Sequence, residues 1–449
     1  MTPASDPAEA RPDLLLFFSD QHHGLCSGYA GHTEVLTPNL DRLAAEGTAC
    51  STTYTSCPLC VPARAGLLTG QLPSNNRVYN NSHIIASDQA TFLHALTAAG
   101  YETVLCGRMH FKGPDQRHGF TKRLIGDITS MYSGGIAARG AFEQTFGMGG
   151  CTNLVGAGDS PVLAYDRDVV QAACDYLKQD HDKPQCVVVG TYGPHFPYVA
   201  PEFDFDRYYG RVTAPASWDP EGRDPNPIVD AKRQRTRRAP ETGEETPMTT
   251  ELMLAARAAY FGMISEQDRH VGRVYGDWQA YLERTGRQGV FAYSSDHGDT
   301  CGEHAVFGKQ TLYEGSVRIP LIFTGTGIAG GSRLQQPCSI LDLGPTFCEL
   351  AGAQPPPSQD GVSLLPMLQT GNDAGERMVV CEWVQPMGDR VVPGRMLRAG
   401  RWKLIHYHDD DIDDQLFDLD DDPDELHNLA ANEPGRHADL LRALQADWE

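Results

Sequence analysis

The sequence predicts an α/β fold: a large, mostly parallel or mixed sheet sandwiched by helices, followed by a small C-terminal α+β subdomain. Two observations predict it. Apolar runs of strand length alternate with helix-like segments through residues 1–370, and over 371–449 the pattern turns to short strand-like runs and one last helix. Such alternation implies parallel strands whose crossover helices cover both faces.

The buried strands are read at 14–19, 103–106, 186–190, 290–294 and 319–323, each a continuous apolar run. Thr37-Pro38-Asn39 starts a helix with a cap residue and a first-turn proline, and Gly47 ends it. Residues 90–99 form another helix, closed by Gly100. Residues 249–284 form a long helix with an expected break near Gly262. Residues 202–248 are rich in Pro, Asp and Arg without periodicity and are expected to be a surface excursion; its basic run 232–238 reads as a solvated loop. In the C-terminal part, 378–381, 395–397 and 402–407 are short antiparallel strands, and 433–448 is a helix. The acids of 409–422 lack the ligand spacing and glycine of a calcium loop and read as solvated turns.

Composition excludes several roles. The net charge of -22 argues against nucleic acid as a partner, because phosphate binding needs a basic face. Any anionic substrate must therefore meet local positive charge. No apolar run approaches the ~20 residues of a membrane span. The first dozen residues lack the basic start and apolar stretch of a secretory signal, so a cytoplasmic protein is expected. Twelve scattered cysteines fit that expectation. Cys57 and Cys60 have the spacing of a redox pair, a reading kept as a minor rival.

Three segments carry chemistry. Cys60-Val61-Pro62-Ala63-Arg64 opens a helix, where unpaired N–H groups and the dipole favour an anion. Alone, Cys60 is either a low-pKa thiolate or a buried capping cysteine. Ser19-Asp20-Gln21 follows the first strand, and Ser295-Asp296-His297-Gly298-Asp299 follows another. Polar residues at strand carboxyl ends are where ligands bind in α/β sheets. Two carboxylates, an amide oxygen and an imidazole suit Ca²⁺, Mg²⁺ or Mn²⁺ better than zinc.

The run Cys60-Val61-Pro62-Ala63-Arg64-Ala65-Gly66-Leu67-Leu68-Thr69-Gly70 resembles the signature of the sulfatase family, within the alkaline phosphatase superfamily. Further blocks follow in family order: Thr37-Pro38-Asn39-Leu40-Asp41-Arg42-Leu43, Gly107-Arg108-Met109-His110, Pro194-His195-Phe196-Pro197 and Gly308-Lys309. Gln71-Leu72-Pro73-Ser74 and Met109-His110 are most similar to choline sulfatases, and the pair Asp20-Gln21 also resembles phosphonate monoester hydrolases. Arg108 stands where the family usually has Lys.

The resemblance implies an alkaline phosphatase-like catalytic domain and oxidation of Cys60 to Cα-formylglycine by a maturation enzyme. It implies a divalent ion, Ca²⁺ first and Mn²⁺ or Mg²⁺ next, held by Asp20, Gln21, Asp296, His297 and residue 60. Arg64 is expected to steady the formylglycine. His195 is expected to protonate the leaving oxygen and His110 to assist the diol; imidazole titrates near neutral pH. Lys309, Arg108 and Asn81 are expected to contact the sulfate. Residues 128–160 and the Glu382-Trp383 region are expected to line the leaving-group pocket, Trp383 and Glu382 either holding a cation or packing in the core. The implied reaction is hydrolysis of a small sulfate monoester in a homo-oligomer, a dimer or tetramer. The rivals are a phosphonate monoester or phosphodiester hydrolase, and a non-catalytic metal- or sulfate-binding protein.

Overall fold

The computed structural model of the chain describes residues 11–129, 151–218, 223–233, 236–238 and 244–446. Most of the segment 128–160 expected at the leaving-group pocket therefore lies outside the described residues.

The central sheet has eight strands: β1 (Asp13–Asp20), β2 (Thr48–Cys50), β3 (Glu102–Gly107), β4 (Lys122–Arg123), β5 (Gln185–Pro194), β6 (Gly289–Ser295), β7 (Leu321–Gly325) and β8 (Ser332–Leu334). Their spatial order is β8-β2-β7-β6-β1-β5-β3-β4. The half from β6 to β4 is parallel, and β7 runs antiparallel to both β6 and β2. The sheet is thus mixed. The reason β1 reads as an unbroken apolar run is visible in its packing. Leu14, Leu16 and Phe18 face one core, Leu15 and Phe17 the other, and all five are fully buried. The run expected over 319–323 is interrupted at Pro320, between a bridge at Arg318–Ile319 and β7.

Five helices matter most: α1 (Pro38–Glu46), α2 (Cys60–Thr69), α3 (Pro161–Leu177), α4 (Thr250–Thr285) and α5 (Pro434–Ala446). The start of α1 differs from expectation. Thr37 makes no side-chain cap. Its hydroxyl accepts from Gly28 N–H and donates to Asp41. The free N–H groups of Asn39 and Leu40 go instead to the Asp268 carboxylate of α4. A tertiary acceptor has replaced the local one.

Helix α4 runs unbroken through Gly262, contrary to the expected break. This glycine serves a close approach. A Cβ there would stand 2.8 Å from Ala200 Cβ and 3.2 Å from the Asp204 carbonyl carbon. The excursion over 202–248 also holds more structure than its composition suggests, with helices at Glu202–Tyr208 and Pro227–Lys232. Ile228 and Val229 are buried in the C-terminal apolar cluster.

The C-terminal subdomain is a four-stranded antiparallel sheet, β9 (Met378–Met387), β10 (Arg390–Ala399), β11 (Trp402–Tyr407) and β12 (Gln415–Asp418), in that order. The β9–β10 hairpin is longer than the short strands read at 378–381 and 395–397, because both continue past prolines. Pro386 is on the edge strand, and Pro393 lies beyond the last β10–β11 pair, Gly394↔Tyr407. Neither proline costs the inner ladder a hydrogen bond. One face of this sheet packs on the main domain through Val379, Cys381, Met396 and Ile405; the other packs Leu397, Leu404 and Leu416 on Leu444 of α5. The acids of 409–422 are partly engaged: Asp414 accepts from His406 and His437, and Asp418 pairs with Arg401.

Gly262→Leu tests the close-approach reading. Overpacking of this kind typically costs about 1–3 kcal/mol. The variant is expected to melt below the wild type in a thermal unfolding scan; an equal Tm contradicts the reading.

Candidate active site

The register of the sheet builds the site. Ser19 on β1 pairs with Ser295 on β6, so Asp20 and Asp296 leave the sheet side by side at the strands' carboxyl ends. Both are fully buried. Gln21 turns the chain with a positive φ of 69°, and its N–H donates to Asp296 Oδ1 at 3.0 Å. Helix α2 enters from outside the sheet with Cys60 as its first residue.

Ligand atoms of Asp20, Cys60, Asp296 and His297 all lie within 4.8 Å of one another. Cys60 Sγ is 3.2 Å from His297 Nε2 and 3.9 Å from Asp20 Oδ1. His297 Nδ1 faces its neighbour's carbonyl, Gly298 O, at 3.0 Å, which directs Nε2 into the cluster. Burial lowers the pKa of His297 to about 4, so the imidazole is neutral and able to ligate. Buried carboxylates with a neutral imidazole and the nearby Gln21 amide oxygen make a donor set fit for a hard divalent cation.

Cations surround these acids. Arg64 bridges them, donating from Nη2 to Asp20 Oδ2 and from Nε to Asp296 Oδ2, both at 3.0 Å. Its Nη1 faces Arg108 O at 3.2 Å, and the Phe18 ring lies against the guanidinium. The described contacts of Arg64 thus hold the two carboxylates and include none with Cys60 Sγ. Arg108 donates to Asp20 Oδ2 at 2.7 Å and sits 2.9 Å from His110 Nδ1. Burial opposes the charge on Asp20, yet Arg108, His195, Arg64 and Lys309 outweigh it and hold its pKa well below the carboxylate range.

Lys309 Nζ donates to Gln21 Oε1 at 2.8 Å and lies 3.0 Å from Cys60 Sγ. Burial lowers the pKa of His195, and Lys309 lowers it further, well below the usual histidine value. His110 is lowered in the same way by burial and Arg108. Both rings are therefore expected to be neutral at pH 7. Asn81 Oδ1 accepts from Val61 N–H at 2.9 Å, capping α2 from a loop; Leu59, the residue before the helix, makes no side-chain cap.

Two open alternatives are narrowed. Burial and the adjacent Asp20 carboxylate raise the pKa of the Cys60 thiol despite Lys309, which favours the buried capping cysteine over the low-pKa thiolate. Glu382 does not offer a free charge to a cation. It pairs with Arg395 and accepts from Ser74 N and Oγ. Trp383 does line a cavity of about 420 Å³ with Tyr79 and His83, while its indole N–H donates to Gln385.

Sequence reasoning assigned no role to two acids. Asp299 is fully buried and accepts from Gln21 Nε2 at 2.5 Å, Tyr198 OH at 2.7 Å, Cys301 N at 2.8 Å and Gly308 N at 3.0 Å. It fixes the Gln21 amide so that its oxygen faces Lys309 and the cluster. Asp127 accepts from Met109 N and His110 N and pairs with Arg108. The signal for Asp299 was its place in the Asp-His-Gly-Asp run; Asp127 carried no comparable signal.

Polar residues gathered at the carboxyl ends of parallel strands, around the first residue of a helix, mark the candidate active site of an α/β enzyme. Comparison with known proteins narrows this. The Sulfatase family model matches residues 12–353, and the model of the N-sulphoglucosamine sulphohydrolase C-terminal region matches 302–447. A choline-sulfatase of Rhizobium meliloti is 35% identical over 95% of this chain and 83% of its own length. Arylsulfatase K of Xenopus laevis is 27% identical over 98% of this chain and 83% of its own. The solved phosphonate monoester hydrolase of Agrobacterium radiobacter superposes with a TM-score of 0.78 at 24% identity, covering 97% of this chain and 96% of that one. The chain belongs to the sulfatase family and is a sulfuric ester hydrolase.

Removing a residue that orients a metal ligand typically costs about 10–100-fold in metal affinity. Asp299→Asn is therefore expected to weaken Ca²⁺ binding by about that factor in calorimetric titration of the purified protein. Unchanged affinity contradicts the orienting role.

Proposed function

We propose that this chain hydrolyses a small sulfate monoester, of the choline-sulfate or aryl-sulfate kind, using formylglycine at position 60 and one divalent cation. The observation that carries the reading is the convergence on Cys60. Its Sγ lies 3.0 Å from Lys309 Nζ and 3.2 Å from His297 Nε2, within one buried cluster of cation-binding atoms. Burial and Asp20 raise the pKa of the thiol at that position.

Asp20, Gln21, Asp296 and His297 would hold the ion, Ca²⁺ in the first instance. When bound, the ion supplies positive charge that eases ionisation of a hydroxyl beside it. Formylglycine at position 60, once hydrated, would supply an ionised hydroxyl as the nucleophile toward sulfur and a second hydroxyl through which sulfate can be released. His195 would give a proton to the leaving alcohol or phenol oxygen, and His110 would take a proton from the diol as sulfate departs. Lys309 and Arg108 contact the sulfate oxygens and stabilise the charge that develops on them. Arg64 pairs with Asp20 and Asp296, and from one turn along α2 it would steady the formylglycine. Asn81 sets the start of α2 and with it the position of residue 60. The phosphonate monoester reading shares this machinery, because a monoanionic diester has the charge of a sulfate monoester. Parallel kinetics with nitrophenyl sulfate, choline sulfate and a phenyl phosphonate ester separate the two.

After co-expression with a formylglycine-generating enzyme, the peptide bearing residue 60 is expected to carry an aldehyde in mass spectra. Cys60→Ser, which has no aldehyde to re-form, is expected to lose multiple turnover. Full turnover by the serine variant would falsify the assignment.

His195→Ala is expected to lower kcat by ~10²–10³, the usual cost of one charge-stabilising donor. The pH dependence follows from the depressed pKa. An acid must be protonated to act, so kcat/KM falls as pH rises through the free-enzyme value, below 6.5. Bound sulfate offsets the field of Lys309 and raises that pKa. The basic limb of kcat is then expected at higher pH than that of kcat/KM, and both are expected to flatten in His195→Ala. A limb that survives in the variant assigns the proton elsewhere.

A further inference from the structure

At the seam between the main domain and the C-terminal sheet lies a half-open cavity of about 1070 Å³, to which none of Asp20, Cys60, Asp296 and His297 contributes. It is rich in arginine, although the chain as a whole carries a net charge of -22. Most of these guanidiniums are engaged. Arg377 pairs with Asp342, Arg401 with Asp418, and Arg436 lies over the Trp402 ring. Arg318, from the catalytic side, pairs with Glu314 but leaves its buried Nε without a partner.

Arg398 is different. It points from β10 to the face that packs on the catalytic domain, the face of Met396 two residues earlier. It is 7% exposed, its Nε is buried without a hydrogen-bond partner, and its one hydrogen bond among the described residues is a long contact of 3.4 Å to Arg401 O. No carboxylate among the described residues pairs with it. Glu314 feels its charge, but the oxygens of Glu314 already accept from Lys403, Arg318 and Tyr54. The acids that line the cavity do not compensate it either. Asp373 accepts from the N–H groups of Gln335 and Gln336, Asp420 sits beside Arg401, and Glu376 makes no ion pair among the described residues.

A buried guanidinium without a counter-charge is strongly unfavourable. A planar fork of donors facing a roomy, polar cavity matches a tetrahedral oxyanion. We propose that this seam is a second, non-catalytic oxyanion site, in which sulfate or phosphate bridges Arg398 of the C-terminal sheet to Arg318 of the catalytic domain. An anion there ties the two parts of the chain together. Its binding is independent of the chemistry at residue 60.

The test is calorimetric titration of the intact protein with sodium sulfate and, in a parallel arm, sodium phosphate, with sodium chloride as the ionic-strength control. Loss of a charge-assisted hydrogen bond weakens binding about ten- to hundred-fold. Arg398→Met is expected to weaken one class of oxyanion site by that factor and to leave turnover in sulfate-free buffer unchanged. Cys60→Ala is expected to lose turnover and keep the class that depends on Arg398, which separates this site from the catalytic pocket. Wild type and Arg398→Met titrating alike, with both anions, overturns the proposal. Should Arg398→Met not fold, wild-type crystals soaked in selenate decide. An anomalous peak beside Arg398 supports the site, and a cavity without one overturns it.

Discussion

The ion pairs of Arg64 with Asp20 and Asp296 are the constraint on which the site rests. Two carboxylates at zero exposure repel each other and lose their hydration. A guanidinium that reaches one oxygen of each satisfies both with a single rigid fork. Arg64 also stands one turn along α2 from Cys60. The helix that presents the nucleophile position is thereby fastened to the two strand ends that present the acids. The catalytic geometry follows from one electrostatic need.

Sheet register makes this possible. The pairing of Ser19 with Ser295 places Asp20 and Asp296 at neighbouring strand ends. A slip of one residue would turn one acid into the apolar core. That error is prevented by the strands themselves, since Leu14, Leu16 and Phe18 must face one side and Leu15 and Phe17 the other. The hydrophobic core thus sets where the acids emerge, and Arg64 fixes them once they do.

The same division explains what could be read from the chain. The buried strands were legible because a strand covered on both faces is apolar throughout, and the strand-end acids and Cys60 were legible because they directly follow or open such elements. What escaped depended on partners distant in sequence. Asp268 caps α1 from more than 200 residues away. Gly262 looked like a helix break, yet the glycine is required by Ala200 and Asp204 on a neighbouring segment. Asp127 supports His110 and Arg108 from a loop with no local signature. The choice between a thiolate and a buried capping cysteine at position 60 turned on distant partners too. A helix start and a nearby arginine favour a thiolate, but Arg64 pairs with the carboxylates, and burial with Asp20 raises the thiol.

Positive charge is placed in this acidic protein according to what it must meet. Arg64 and Arg108 both pair with Asp20, so part of their charge is offset within the chain. Lys309 contacts Gln21 Oε1 and Cys60 Sγ, and against burial its pKa is raised by Cys60 and then by the Asp20 and Asp296 carboxylates. It is the cation at the cluster without a carboxylate within ion-pair distance among the described residues. A second acid in place of Gln21 would add a carboxylate beside Lys309, whose Nζ donates to Gln21 Oε1 at 2.8 Å. Under the proposed reading, the amide at position 21 would give an oxygen to the cation while leaving the ammonium uncancelled for an anionic ester.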